Sequence, residues 1–302
     1  MNQPPPLFDC DLHRRRLDRA APRYADFLKR RAAEDLVVRL AAVNRGFPVA
    51  VDLGARTGVF ARALAASEAA GKVDFLVQAD ISATMLARAS GPRLVADEAR
   101  LPFAEASVDL IVSSLALHWI DDLVGALIQA RRALKPDGLF LGALLGGATL
   151  TELRSCLLDA EIELAGGAGP RVSPFLDAYD GAALMQRAGL ALPVVDVDTV
   201  TARYDHPLKL MADLRAMGET SAVADRARAP LSRRLVARAS ELYFDRYGGG
   251  DGRVVATFEI ITLTGWAPHP DQQKPLARGS AKTRLADALR TREQPAGEKA
   301  GG

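Results

Sequence analysis

Apolar runs alternate with amphipathic segments along the first half of the chain. Short runs rich in Val, Leu and Ile predict buried strands at 49–53, 74–80, 94–97, 108–114 and 139–145. Apolar residues at helical spacing predict helices between them, at about 59–70, 82–89 and 123–134. Strands that alternate with helices build right-handed βαβ units, so the pattern predicts an α/β fold with a parallel sheet.

The pattern becomes more helical after residue 146. Amphipathic spacing predicts helices at 149–166, 177–190, 207–219 and 229–248. Runs rich in β-branched and aromatic residues predict two long strands, at 194–204 and 253–266. The helical segment 207–250 therefore interrupts the chain between the last two predicted strands.

These elements divide the chain into three predicted parts. Residues 1–45 have helical composition and predict an N-terminal lid. Residues 46–268 form the core, with the helical insertion at 207–250. Residues 269–302 contain Gln, Lys, Gly and Pro with little apolar content, which predicts a mobile tail.

Charge and cysteine content exclude several classes of protein. The 302 residues carry 39 Lys and Arg against 37 Asp and Glu, so the net charge of +2 gives no indication of nucleic-acid binding. A local basic cluster at 13–19 is interpreted either as a solvated helix face or as a docking patch for an acidic partner. Cys10 and Cys156 lie too far apart in the sequence to indicate a zinc site or a disulfide framework.

Neither a membrane span nor a signal peptide is predicted. Apolar runs stay shorter than a transmembrane helix requires, and residues 1–10 lack the basic start and apolar stretch of a secretory signal. We therefore expect a cytoplasmic protein.

Ligands of open parallel sheets bind beyond the carboxyl ends of the strands, so the candidate binding residues follow the predicted strands. They are Asp52, Gly54, Gly58, Asp80, Ile81, Asp97, Glu98 and Ser114. A dinucleotide fingerprint starting at Gly54 would need glycine at positions 56 and 59, where the sequence has Arg56 and Val59. NAD and FAD are therefore poor candidates.

The turn in "VAVDLGARTGVF" (49–60) resembles instead the S-adenosylmethionine (SAM) loop of class I methyltransferases. The resemblance implies the class I SAM-dependent methyltransferase (Rossmann-like) fold, with a mostly parallel seven-stranded sheet. Its glycines would let the backbone approach the cofactor. Asp52 would orient the turn or the methionyl ammonium, or merely cap the loop.

The acids after the next two strands have cofactor roles under the same resemblance. Asp80 would accept both ribose hydroxyls, or alternatively act as a helix N-cap beside Ser82. Asp97 would accept the exocyclic amine of adenine, or be a plain surface acid. Arg56 stands where this loop usually has glycine, and we expect its side chain to point outward, away from the cofactor.

A closer resemblance extends over almost the whole chain. The segments that carry it are "LFDCDLHRRR" (7–16), "FPVAVDLGARTG" (47–58), "QADIS" (78–82), "VADEARLPF" (95–103), "VDLIVSSLALHWIDDL" (108–123), "LKPDGLFLGALLGGATLTELR" (134–154), "RVSPF" (171–175), "DLRAMGE" (213–219) and "ARGSAK" (277–282). Together they resemble the methyltransferase-fold assembly factors of respiratory complex I and their bacterial relatives. The core also resembles, more distantly, the malonyl-carrier-protein methyltransferases.

The closer resemblance implies a protein substrate, a complex I subunit, and hydroxylation of an arginine. An iron centre held by the protein is not expected, because the four histidines show no H-x-D or H-x-E pair. His118 and Trp119 are the candidate catalytic residues, since an imidazole can accept a proton and an indole can stack on a cation; alternatively, the pair only packs. Acids that could meet a guanidinium are Asp121, Asp122 and Glu219; alternatively, each is a helix cap or a solvated side chain.

Three functions therefore remain open. The first is an enzyme that modifies a protein side chain by methylation or hydroxylation, with SAM as the expected cofactor and, through complex I, a peripheral association with the membrane. The second is a methyltransferase of a small molecule or carrier-bound acyl group. The third is an assembly chaperone without catalytic activity.

Overall fold

The computed structural model describes residues 5–167, 169–226, 230–272, 279–280 and 282–292. The chain divides into two compact units, residues 1–268 and residues 269–302. The second unit contains one short helix, α10 (Leu285–Ala288), among its described residues. The mobility predicted for 269–302 stays a prediction, because residues 273–278, 281 and 293–302 lie outside the described residues.

A single sheet forms the centre of the first unit. Its strands are β1 (Phe47–Leu53), β2 (Val73–Asp80), β3 (Arg93–Val95), β4 (Val108–Ser114), β5 (Leu134–Leu145), β6 (Ala191–Tyr204) and β7 (Val254–Trp266). Their order is β3-β2-β1-β4-β5-β7-β6. The first five strands pair in parallel, and β7 is antiparallel to both of its neighbours. The predicted mostly parallel, seven-stranded sheet is confirmed.

Helices cover both faces of the sheet. They are α1 (Cys10–Ala20), α2 (Phe27–Ala42), α3 (Val59–Ala65), α4 (Ala83–Leu86), α5 (Leu123–Ala133), α6 (Thr151–Ala165), α7 (Ala178–Arg187), α8 (Pro207–Ala216) and α9 (Arg233–Tyr247). One apolar layer lies between the sheet and α2, α3, α6, α8 and α9, and the other lies under α5 and α7. Helices α8 and α9 form the predicted insertion between the last two strands.

Local hydrogen bonds and a bulge explain where the boundaries differ from the prediction. Helix α3 ends five residues earlier than predicted, and the hydroxyl of Ser67, just beyond it, donates to the carbonyl of Leu64 and accepts from the amide of Ala69. Residues 135–138, which separate a predicted helix from a predicted strand, lie inside β5 as a bulge, where the register with β4 shifts and Asp137 has a φ of 60°.

The N-terminal segment and the insertion pack on each other near the carboxyl ends of the strands. Phe8 forms a β-bridge with Val223, and the amide of Asp9 donates to the carbonyl of Ala222 over 2.8 Å. The interpretation of cluster 13–19 as a solvated face is wrong in part, because His13 and Leu17 are buried. The reason is that α1 packs through positions spaced i, i+4, i+7.

No described helix has the length and the apolar composition needed to cross a membrane.

Candidate functional site

The turn between β1 and α3 requires glycine at two positions. Gly54 and Gly58 have φ angles of 69° and 77°, in the left-handed region that other residues rarely adopt. A Cβ on Gly54 would lie 2.2 Å from the Cβ of Ala116, and one on Gly58 would lie 2.5 Å from Oε1 of Gln78. The backbone of the turn is therefore pressed closely against its neighbours.

The expectation that Arg56 points outward is wrong. Its side chain is 1% exposed, and its backbone φ of 53° is left-handed. Both the backbone N–H and Nη1 of Arg56 donate to Oδ2 of Asp80, each over 2.8 Å. The physical reason is charge: Asp80 is fully buried at the end of β2, and a buried carboxylate needs a counter-charge.

The other oxygen of Asp80 is also bonded. Oδ1 accepts from the backbone N–H of Ser82 over 2.8 Å. The N-cap of α4 is Ser82 itself, whose hydroxyl accepts from the amide of Met85. Asp80 therefore holds the glycine turn and the start of α4 in place.

Glu98 adds a second carboxylate beside the guanidinium. Its Oε1 lies 3.6 Å from Nη1 of Arg56, which is an ion-pair distance but too long for a hydrogen bond. Burial and the charge of Asp80 raise the pKa of Glu98 to about 7, although Arg56 opposes this rise. Glu98 therefore changes its protonation near neutral pH.

Lys29 of α2 reaches the same turn from the opposite side, and the sequence analysis missed it. Its Nζ donates to the carbonyl of Gly54 over 2.6 Å and to the carbonyl of Ser114. Burial, followed by the charge of Arg56, lowers the pKa of Lys29 to about 8. The sequence did contain a signal that Lys29 is buried, because its position lies on the same apolar stripe of α2 as Leu36.

Asp52 is buried below the turn without a hydrogen-bond partner for either carboxylate oxygen among the described residues. Burial raises the pKa of Asp52 to about 7, while the charge of Lys29 opposes the rise. The hydroxyl of Ser114 likewise has no partner among the described residues. These atoms leave the site with unused hydrogen-bonding capacity.

The remaining predicted binding residues have packing or turn contacts. Ile81 packs against the small apolar cluster formed by α1 and α4. Asp97 is half-buried, and its Oδ1 accepts from the backbone N–H of Ala99 over 2.8 Å. A role for either residue in cofactor binding stays a prediction.

His118 and Trp119 meet Glu219 near the end of β4. They lie in a 3₁₀ turn, Leu117–Trp119, and Oε2 of Glu219 is 2.9 Å from His118 Nε2 and 2.9 Å from Trp119 Nε1. The indole also stacks on His13, with ring centroids 4.3 Å apart. Burial and the charge of Arg56 lower the pKa of His13 to about 3, so the stacked imidazole is neutral at pH 7.

The two acids that follow have structural contacts. Oδ1 of Asp121 accepts from the backbone N–H of Phe8 over 3.1 Å, and Asp122 is the N-cap of α5. Of the three acids proposed to meet a guanidinium, Glu219 alone contacts the His118–Trp119 pair in the hydrogen bonds of the described chain.

The carboxylate of Glu219 stays ionised. Burial by itself would raise its pKa, but the charge and hydrogen bond of His118, together with the charge of Arg56, hold the pKa at about 2, below the ordinary 4.5. Ionised Glu219 therefore stabilises the folded state fully above pH 4.5, and this contribution is lost as the pH falls toward 2.

We expect the free energy of unfolding of Glu219→Gln to fall less steeply than that of the unmodified protein between pH 4.5 and about 2. Urea unfolding at a series of pH values measures both slopes. Glu105→Gln, which changes an exposed acid paired with Arg132, should keep the unmodified slope. Parallel profiles for Glu219→Gln and the unmodified protein would contradict the role given to this carboxylate.

A cavity of about 370 Å³ adjoins Glu219. Its walls are mainly apolar and include Leu153, Phe175 and Met211. Glu219 is the acid among the described residues that line it, and four arginines also contribute: Arg16, Arg171, Arg215 and Arg226. The cavity can therefore hold an elongated apolar chain that ends in a charged group.

No cluster of three or more His, Cys, Asp or Glu side chains suited to a metal ion occurs in the part of the chain that the structure describes.

Comparisons with known proteins agree with the fold. Residues 51–142 match the model of the Methyltransferase domain family. A putative methyltransferase from Bacillus halodurans superposes with a TM-score of 0.55 at 15% identity, over 78% of this chain and 99% of that one. At this identity the likeness shows the fold alone, and it confirms the predicted class I methyltransferase architecture.

Relatives with more similar sequences extend over nearly the full chain. "Arginine-hydroxylase NDUFAF5, mitochondrial" of Danio rerio is 39% identical over 93% of this chain and 89% of its own length. The human protein of the same name is 40% identical over 91% of this chain and 81% of its own. The "Malonyl-[acyl-carrier protein] O-methyltransferase" of Methylovorus sp. is 34% identical over 87% of this chain and 90% of its own.

Both resemblances inferred from the sequence are confirmed, and the relatives are named as enzymes. The chain belongs to the family of the arginine-hydroxylase NDUFAF5.

Proposed function

We propose that this chain modifies an arginine side chain of a respiratory complex I subunit during assembly of the complex. The name of the relatives supplies the reaction class, arginine hydroxylation. The observation that supports the substrate class is Glu219, an ionised acid and the acid among the described residues that line a mainly apolar cavity.

Glu219 has the geometry of a guanidinium acceptor. His118 and Trp119 both bond Oε2 and so fix the orientation of the carboxylate. Oε1 has no hydrogen bond from the described residues and remains to accept from an incoming N–H group. A charge-assisted bond of this kind is about twice as strong as a neutral one. The apolar walls suit the methylene stem of an arginine side chain.

The chain's own residues would bind and orient the substrate and exclude water from it. The cavity wall formed by Leu153, Phe175 and Met211 would hold the aliphatic part of the side chain. Glu219 would bind the guanidinium at the far end of this side chain, so that each substrate molecule places the same carbon atom at the same position. The protein would contribute by holding the substrate side chain in position and by excluding water from it.

Glu219→Gln is expected to lower the modified fraction of the complex I subunit at least about tenfold, because the neutral amide loses the charge-assisted bond. Intact-mass analysis of complex I subunits, from cells that lack the chain and are complemented with each variant, measures this fraction. Glu105→Gln is the matched control, since its carboxylate is exposed and distant from the cavity lining. Full modification with Glu219→Gln at equal protein level would refute the proposed role.

The four arginines that line the cavity favour a second candidate, a carboxylate substrate such as a carrier-bound acyl group. Arg16, Arg171, Arg215 and Arg226 would attract an anion, and the malonyl-carrier-protein methyltransferases are relatives at 34% identity. The same mass measurement separates the candidates. A mass increase of one oxygen atom on a complex I subunit supports the arginine substrate, whereas an unmodified subunit supports the carboxylate substrate or the non-catalytic chaperone. The cytoplasmic location and the peripheral association through complex I stay predictions.

A further inference from the structure

SAM is the cofactor that the fold implies, and two features of the site test whether its residues fit. The ribose diol needs a carboxylate with free acceptor positions at the end of β2, where Asp80 lies. The rest of the ligand needs an open face on the turn from Gly54 to Gly58, so that it can lie against the backbone. The first requirement is not met in the described arrangement.

Three of the four acceptor positions of the Asp80 carboxylate are already occupied. Oδ2 of Asp80 accepts two hydrogen bonds from Arg56, and Oδ1 accepts one from Ser82. A carboxylate oxygen has two lone-pair positions, so Oδ2 has none left for a second hydroxyl. The guanidinium is also enclosed: Asp80 is fully buried, and the side chain of Arg56 is 1% exposed.

The turn itself is packed against the segment after β4. Ala116 lies so near to Gly54 that a single added carbon on the glycine would lie 2.2 Å from its Cβ. Lys29 bonds the carbonyls of Gly54 and Ser114 and so holds the segments after β1 and β4 together.

We infer that Arg56 occupies the ribose subsite as a built-in competitor and sets the specificity of this site against ligands with a ribose diol. Its position in the turn makes the competition intramolecular, so the guanidinium is always present at a high effective concentration. The left-handed backbone at Arg56 carries a strain of about 1–2 kcal/mol, which the two bonds to Asp80 offset.

The Arg56 guanidinium is what blocks the ribose subsite, because the site still contains hydrogen-bond acceptors without partners among the described residues. Oε1 of Glu98 and both carboxylate oxygens of Asp52 have no hydrogen-bond partner among the described residues. A diol or an ammonium group that entered would gain bonds there. Removal of the Arg56 side chain should therefore uncover a functional subsite, because it frees Asp80 without removing any acceptor.

Isothermal titration calorimetry with S-adenosylhomocysteine tests the inference. For Arg56→Gly, which restores the glycine of the usual loop, we expect a dissociation constant at least about 100-fold lower than that of the unmodified protein. Arg132→Ala, which removes an exposed arginine paired with Glu105, should behave as the unmodified protein. Adenosine should gain affinity with Arg56→Gly, whereas 2′,3′-dideoxyadenosine should not, because it lacks the diol.

Two further results keep the inference testable if Arg56→Gly does not fold. Tight binding by the unmodified protein, with a dissociation constant below about 10 µM, would overturn it directly. Arg56→Gln, whose shorter neutral amide weakens the contact with Asp80, should bind S-adenosylhomocysteine more tightly than the unmodified protein but less tightly than Arg56→Gly. An affinity of Arg56→Gln equal to that of the unmodified protein would also overturn the inference. Neither titration depends on modification of a complex I subunit, so the proposed function is tested separately.

Discussion

Asp80→Ala is expected to lower the free energy of unfolding by about 3–5 kcal/mol, the largest effect of a single charge removal that we predict. The substitution leaves the guanidinium of Arg56 buried, with Glu98 at 3.6 Å as its nearest remaining counter-charge. It also removes the acceptor for the amide of Ser82 at the start of α4. Urea unfolding monitored by circular dichroism measures the change.

A matched control and a double substitution isolate the ion pair. Asp97→Ala removes a half-buried acid that bonds only the amide of Ala99 among the described residues, so we expect a loss of about 1 kcal/mol. Arg56→Gly combined with Asp80→Ala should lose less stability than the sum of the two single changes, because neither charge is then left alone. If the stability loss of the double variant equals the sum of the two single losses, the two groups act independently.

Gly54→Ala is expected to destabilise the chain by more than about 3 kcal/mol, because strain and overpacking act together. The φ of 69° disfavours any residue with a Cβ, and the new carbon would lie 2.2 Å from the Cβ of Ala116. Relief would require the segments after β1 and β4 to separate, which would stretch the bonds of Lys29 to both carbonyls. Thermal and urea unfolding measure the loss.

Gly71→Ala provides the comparison for this substitution. No heavy atom lies within 4 Å of a Cβ at Gly71, and its φ is outside the left-handed region. We expect a change within about 0.5 kcal/mol, in either direction. If both glycine variants lose the same stability, the close packing of the turn against Ala116 is not the cause.

The fold was predictable because its signals are repeated along the chain. Each strand from β1 to β5 is marked by an apolar run, and the crossovers through α3, α4 and α5 are marked by helical spacing, so the right-handed βαβ rule leaves little freedom. The helical insertion was also predicted from its amphipathic spacing. The shifted boundaries, such as the early end of α3, depend on single side-chain bonds like those of Ser67, which periodicity does not reveal.

The sequence indicated several residues that the structure brings close together, but not the bonds between them, and their functional roles stay predictions. Strand ends identified Asp80, Glu98 and Ser114, and the motif after β4 identified His118 and Trp119. The direction of Arg56 could not be read from the loop pattern, because it depends on which charge lies buried beside it in three dimensions. Glu219 was one of three candidate acids, and only the packing of the insertion against the turn after β4 selects it.

The position of Arg56 has an evolutionary consequence. Glycine and arginine codons of the GGN and CGN types differ by a single base, so the two forms of this loop are neighbours in mutational space. A lineage could therefore lose nucleoside recognition in one step while keeping the scaffold that matches methyltransferases. Within such a lineage, the residue at position 56 would distinguish the proteins that use an adenosyl donor from those whose reaction must use a different reactant.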